Sequence, residues 1–211
     1  MKTVAVIPAG GSGKRLKSHI AKQYLLLDGV PVLVQTLRVF QNSPDIDEII
    51  LALPAEDIVH IRQELAEKYN LTKVVNAVPG GAQRQDSVKN CLDAIKGDYG
   101  IVVIHDAVRP FVTEELINRV VGEAKATGAA VAGVKTKDTI KEVGENDIVG
   151  RTVPREKLWL VQTPQAFQYE LLKEAYKSAC DDKFLGTDDA SLVERMGKEV
   201  KMVEGFYENI K

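Results

Sequence analysis

With 211 residues, 45% hydrophobic and 27% charged, the chain is long enough to bury a full core, and its composition is that of an ordinary soluble globular protein. Its 28 basic and 30 acidic residues leave a formal charge of −2. No general field therefore recommends nucleic acid or an anionic membrane as a partner, and any anion site must be local.

The first element, "VAVIPA" (4–9), is an apolar run broken by Pro8. It is too short for a signal-peptide core or a bilayer span, so the chain reads as cytoplasmic. It reads as a buried strand that empties into "GGSGKR". Four more runs of the same kind follow: "EIILALP" (48–54), "KVVNAV" (73–78), "IVVIHDA" (101–107) and "AAVAGV" (129–134). Near-continuous apolar strands are buried on both faces, as in a mostly parallel sheet. Between them, Ile58, Ile61, Leu65 and Tyr69 recur at helical spacing in "EDIVHIRQELAEKY". A second helix, "TEELINRVVGEAKATG", opens on a Thr113 cap and stops at Gly128. Alternating strand and helix predict an α/β fold with a doubly wound, mostly parallel Rossmann-like sheet.

One segment departs from this pattern. Residues 138–159 hold two alternating runs around "GEND", which predicts a β-hairpin. It has too few large apolar residues for a core hairpin and is expected to project as an arm at about 136–156. There are no repeats or linkers, so a single domain over 1–211 is expected. Cys91 and Cys180 stand far apart, which fits neither a disulfide framework nor a zinc site, and both read as buried free thiols.

The loop after the first strand matches neither common phosphate-binding signature. A Walker A loop needs Ser or Thr after its Gly-Lys pair, and here Arg15 follows Gly13-Lys14, with Pro8 where the first glycine belongs. A dinucleotide fingerprint needs a third glycine where Leu16 stands. What is left is a loop of free backbone N–H groups for polyphosphate, with Arg15 and Lys22 as added cations. A solvated turn with surface lysines is the plain alternative. Two more polar clusters stand at strand exits, where open α/β sheets bind ligands. "HDAVRP" brings Asp106 and Arg109, and "GGAQRQDSV" brings Gly81, Asp86 and Ser87 with a helix starting at Asp86 or Ser87. Asp86 could be only a helix cap, and Arg109 only an ion-pair partner of Asp106.

The stretches "PAGGSGKRL", "AKQYLLLDGVPVL", "GGAQRQDSV", "IHDAVRPFV", "KDTIK", "LWLVQTPQAF", "GTDDASLVE" and "NIK" together give a resemblance that runs the length of the chain. The sequence resembles the cytidylyltransferases of the non-mevalonate isoprenoid pathway, which make CDP-methylerythritol from CTP and 2-C-methyl-D-erythritol 4-phosphate. The resemblance implies a nucleotidyltransferase-type fold and a homodimer joined by an extended β-arm. It places Arg15 and Lys22 on the triphosphate, and Ala9, Gly10, Gly11, Ser12 and Gly13 on the phosphate loop. Gly81, Asp86 and Ser87 fall by the cytidine, and Asp106 and Arg109 at the sugar-phosphate and metal side. Thr139 and Arg155 are expected to reach the methylerythritol phosphate from the partner subunit, with Thr163 and Lys211 as further substrate contacts. Ala21 replaces a usual proline, and Gly10 and Val108 each replace a common alanine. Family members run on past "NIK", so a terminal carboxylate is expected beside the Lys211 ammonium.

The chemistry this implies is in-line attack of a phosphate monoester on the α-phosphorus of CTP. A monoester's second pKa is about 6, so the nucleophile is largely dianionic and needs no histidine as base. His60 is then expected at the surface, and His105 as a strand-end packing residue. Fixed cations, above all Arg15, Lys22, Arg155 and Lys211, carry the catalysis. Magnesium or another divalent cation, bridging triphosphate oxygens, has Asp106 as its candidate carboxylate. Two alternatives stay open: a ribitol 5-phosphate cytidylyltransferase, and a non-catalytic nucleotide-binding module.

Overall fold

The computed structural model describes residues 1–11 and 21–211. The first elements are β1 (Lys2–Pro8), the short strands β2 (Leu26–Leu27) and β3 (Val30–Pro31), α1 (Val32–Asn42), β4 (Glu48–Leu53) and α2 (Ile58–Glu67). Next come β5 (Val74–Pro79), α3 (Arg84–Asp93), β6 (Tyr99–Ile104), α4 (Glu114–Thr127) and β7 (Ala129–Lys135). The chain closes with β8 (Ile140–Val143), β9 (Val149–Val153), β10 (Trp159–Gln168), α5 (Tyr169–Asp181), α6 (Asp189–Arg195) and β11 (Lys201–Glu204).

Seven strands form the central sheet in the order β11-β7-β10-β6-β1-β4-β5. β1 pairs in parallel with both β4 and β6, β4 with β5, and β7 with β11, while β10 runs antiparallel between β6 and β7. Strands at all five positions read from the apolar runs are present. After β1 the chain builds outward through β4 and β5, then returns to place β6 on the other side of β1. That reversal makes the carboxyl ends of β1 and β6 a topological switch point, the crevice where doubly wound sheets bind ligands.

Successive residues of each buried strand serve opposite layers. Ala5, Ile7, Ile101 and Val103 face α1, α2 and α4 through Leu37, Phe40, Leu65, Leu116 and Val120. Val4, Val6, Val102 and Ile104 face α3, α5 and α6 through Val88, Leu92, Leu172, Ala175 and Val193. Each large aliphatic or aromatic side chain so buried contributes about 1.5–3 kcal/mol, which holds the strand ends in fixed relation. Helix α4 is bounded as its sequence predicts. The Thr113 hydroxyl accepts from Leu116 N at 3.2 Å, and Gly128 ends the helix at φ 97°, a value that favours glycine.

The expected hairpin is β8 and β9, which pair antiparallel as a separate two-stranded sheet around Glu145–Asp147. Its strands are exposed along most of their length, including Val143 and Val149. Two expectations need correction. Cys91 is buried, but Cys180 is exposed, because it lies on the outer face of α5 while Ala175 and Ala179 take the inner one. Helix α3 begins at Arg84, before Asp86, and Gln83 holds the cap position.

Candidate active site

Three loops meet at the switch point. A Cβ on Gly10 would stand 3.0 Å from Gly80 Cα, so the loops leaving β1 and β5 approach backbone to backbone. Gly81 is equally constrained, since a Cβ there would fall 2.2 Å from Asp86 Cβ. The tight turn it allows is tied by Gly81 N donating to Ser87 Oγ (3.0 Å) and Ser87 Oγ donating to Gln83 O (3.1 Å). Asp86 accepts from Gln83 N at 2.9 Å, the reciprocal arm of a capping box.

On the opposite wall, Lys22 opens a short helical turn, Lys22–Tyr24. Two neighbours fix that turn: Gln23 Nε2 donates to Ala9 O (2.8 Å) and Tyr24 donates to Asp57 Oδ2 (2.7 Å). Burial, reinforced by Asp57, pushes the Tyr24 phenol above its usual range. Ala21, where the resembling family carries proline, has φ −62°, the angle a proline ring would impose. The backbone geometry is kept without the ring. Ser12, Gly13 and Arg15 lie outside the described residues.

Between these walls is a cavity of about 500 Å³ lined by Ala9, Gly10, Gly11, Lys22, Gly81, Ser87 and Asp106 among others. A second cavity, about 410 Å³, adjoins it and is lined by Arg109, Thr163, Gln165 and Asp188. Arg84, Asp106 and Lys211 line both and form the ridge between them. A larger groove of about 750 Å³ lies between α3 and α5, on the helix flank rather than at the strand ends.

The ridge is one carboxylate against three cations. Asp106 Oδ1 pairs with Arg84 Nε (3.2 Å), and Oδ2 with Arg109 Nε (3.3 Å) and Lys211 Nζ (3.0 Å). Burial alone would raise the Asp106 carboxyl, but Arg84 and then Lys211 outweigh it and hold it below the usual carboxylate range. Arg84 also lies 2.7 Å from Asp189 Oδ2 as an ion pair, and among the described residues that buried oxygen has no hydrogen-bond donor of ordinary geometry. Asp189 in turn accepts from Tyr176 at 2.5 Å. Burial lowers the Arg84 guanidinium's affinity for its proton, and Asp189 and Asp106 more than reverse this. Arg109 further donates to Asn209 O at 2.7 Å, tying the 209–211 segment to the β6 exit. His105 is fully buried, which pushes its imidazole down to about 4 despite Asp106 beside it. It stacks obliquely on Phe40.

Of the residues the sequence nominates, Ala9, Gly10, Gly11, Lys22, Gly81, Ser87, Asp106, Arg109, Thr163 and Lys211 line these two cavities. Asp86 does not. Its exposed carboxylate serves the capping turn. Thr139 and Arg155 are exposed at the base of the arm, Arg155 donating to Lys137 O, and neither lines either of these two cavities. Sequence reasoning missed Arg84 and its partners Asp189 and Tyr176. The signal was Arg84's place at the first helical position after the glycine turn.

Comparison with known proteins gives concordant results. The family described as "IspD: 2-C-methyl-D-erythritol 4-phosphate cytidylyltransferase" matches residues 3–211. A relative of that name from Syntrophus aciditrophicus is 50% identical over 210 residues, covering 100% of this chain and 90% of its own length. One from Geobacter metallireducens is 47% identical, with coverages of 100% and 92%. The crystal structure titled 4-diphosphocytidyl-2C-methyl-D-erythritol synthase from Anaerococcus prevotii superposes with a TM-score of 0.87 at 32% identity, covering 100% of this chain and 91% of that one.

Proposed function

We propose a function from the premise that this chain belongs to the 2-C-methyl-D-erythritol 4-phosphate cytidylyltransferase family. It transfers CMP from CTP to 2-C-methyl-D-erythritol 4-phosphate, forming 4-diphosphocytidyl-2-C-methyl-D-erythritol and pyrophosphate. The observation that carries the reading is the ridge of Arg84, Asp106 and Lys211 between two adjoining cavities at the switch point. Such a ridge suits two phosphorylated substrates that must meet at one phosphorus.

CTP occupies the larger cavity, its triphosphate against residues 11–15 and Lys22 and its cytidine beside Gly81 and Ser87. The sugar phosphate occupies the smaller one, near Arg109 and Thr163. Attack needs no proton acceptor, because the phosphate monoester is already a dianion near neutral pH. The barrier is the approach of two anions, which Lys22 and Lys211 relieve by fixed positive charge, with Arg15 as a further cation from the sequence. Asp106 orients Arg109 and Lys211 and offsets the repulsion between their two charges.

A divalent cation would be held here only in part by the protein. Among the described residues there is no group of three acidic, His or Cys side chains to cage one. Asp106 offers one carboxylate, reached when Lys211 moves off Oδ2. The ion would otherwise rest on triphosphate oxygens, neutralising charge there.

We read the chain as a single nucleotidyltransferase domain, cytoplasmic and dimeric through its arm. Thr139 and Arg155 stand outside both cavities of their own chain, and Val143, Ile148 and Val149 are exposed on the arm. Supply of Thr139 and Arg155 across a dimer accounts for both. The deciding assay is pyrophosphate release from CTP with methylerythritol phosphate, with ribitol 5-phosphate, and with neither. Release dependent on the first supports the reading. Preference for the second, or no release with either, overturns it.

A further inference from the structure

His105 has no part in the transfer as drawn, yet its hydrogen bonds fix the polarity of a residue that lines the smaller cavity. Its Nε2 lies 3.2 Å from Arg109 O and its Nδ1 lies 3.0 Å from Thr163 Oγ1. A carbonyl oxygen can only accept, so Nε2 carries the proton. The ring is fully buried against Phe40, so a second proton would be an unsolvated charge, and that cost outweighs the pull of Asp106 beside it. Nδ1 is therefore a bare lone pair, and the Thr163 hydroxyl must donate into it. Asp106 N donates to the same Thr163 Oγ1 at 3.1 Å. The hydroxyl's proton and one lone pair are both taken, and one lone pair is left.

We propose that His105 is a positioning residue that orients the Thr163 hydroxyl so that it offers the cavity an acceptor and no donor. Thr163 then selects a hydroxyl group of the polyol substrate at that point and repels a phosphate oxygen, steering the phosphate toward the cationic side. This rests on the reading of the smaller cavity as the acceptor-substrate site. An imidazolium at 105, or a ring protonated on Nδ1, would do the opposite: it would release the Thr163 proton to meet a phosphate.

The first test is independent of substrate. In the full-length protein labelled with ¹⁵N-histidine, the His105 resonances should show an unprotonated Nδ1 and a protonated Nε2 at neutral pH. An Nδ1–H tautomer or a doubly protonated ring overturns the proposal even if the transferase activity stands. The second test is kinetic. Asparagine places an acceptor near the Nδ1 position, whereas glutamine places a donor near Nε2 only. His105→Asn should therefore keep the KM for methylerythritol phosphate within a few-fold. His105→Gln and Thr163→Val should each raise it roughly tenfold, the scale of one lost hydrogen bond, with the KM for CTP unchanged. Thr163→Ser should restore it. Equal losses from His105→Asn and His105→Gln, or losses in thermal stability with the KM values unmoved, would reduce His105 to a packing residue.

Discussion

Replacing Arg84 with methionine removes the guanidinium while keeping much of the side chain's length. It strips the Asp189 carboxylate, 1% exposed, of its ion-pair partner while Tyr176 still donates to it, and takes one of three cations from Asp106. Breaking a buried ion pair by deleting one partner costs about 3–5 kcal/mol. The lower end applies here, because the Arg84 side chain is 31% exposed and Asp106 keeps Arg109 and Lys211. About 3 kcal/mol lowers Tm by roughly 6–12 °C in a chain of this size. Calorimetric or circular-dichroism melting reads it directly. Adding Asp189→Asn should recover part of the loss, since the amide removes the stranded charge and can still meet Tyr176. The acid limb supplies a further sign. Asp106 titrates below its unfolded value, so its contribution is complete above about pH 4 and is lost as pH falls toward the depressed folded value. Arg84→Met raises that folded value and flattens the acid dependence. A Tm within about 2 °C of the parent, or strictly additive effects of the two substitutions, would refute the network.

Lys22→Ala should leave the melting curve intact and lower turnover at least about a hundredfold, the scale of losing one transition-state cation, with a smaller change in the KM for CTP. Gly81→Ala forces a Cβ to within 2.2 Å of Asp86 Cβ, so it should cost about 1–3 kcal/mol and raise the KM for CTP as the turn at Ser87 opens. Ala21→Pro, at a φ of −62°, should gain about 0.4–1 kcal/mol by stiffening the unfolded chain, seen as a small rise in Tm.

The parts of the fold legible in the sequence are those with a strong local signal. The five apolar strands and the Thr113–Gly128 bounds of α4 needed only hydrophobic pattern and caps. Strand β10 escaped notice because Pro164 interrupts it, and proline argues against an interior strand. The structure accommodates it where the pairing with β7 shifts register, between Val161 and Gln165. The β2–β3 turn went unread although Asp28-Gly29 is a hairpin signature, both residues adopting positive φ. In the site, Asp106, Arg109 and Lys22 were visible because their motifs sit at strand exits. Arg84 was not, because periodicity does not say which side of a helix's first turn faces the sheet. Asp189 and Tyr176 lie about a hundred residues further along the chain, and only the packing of α5 and α6 on α3 brings them near.

The central claim is that two anionic substrates meet across the Asp106 ridge, and a crystal structure of the protein with CTP tests it most directly. The account predicts the triphosphate against residues 11–15 and Lys22, and the cytidine beside Gly81 and Ser87. A triphosphate seated elsewhere, such as in the groove between α3 and α5, would contradict it.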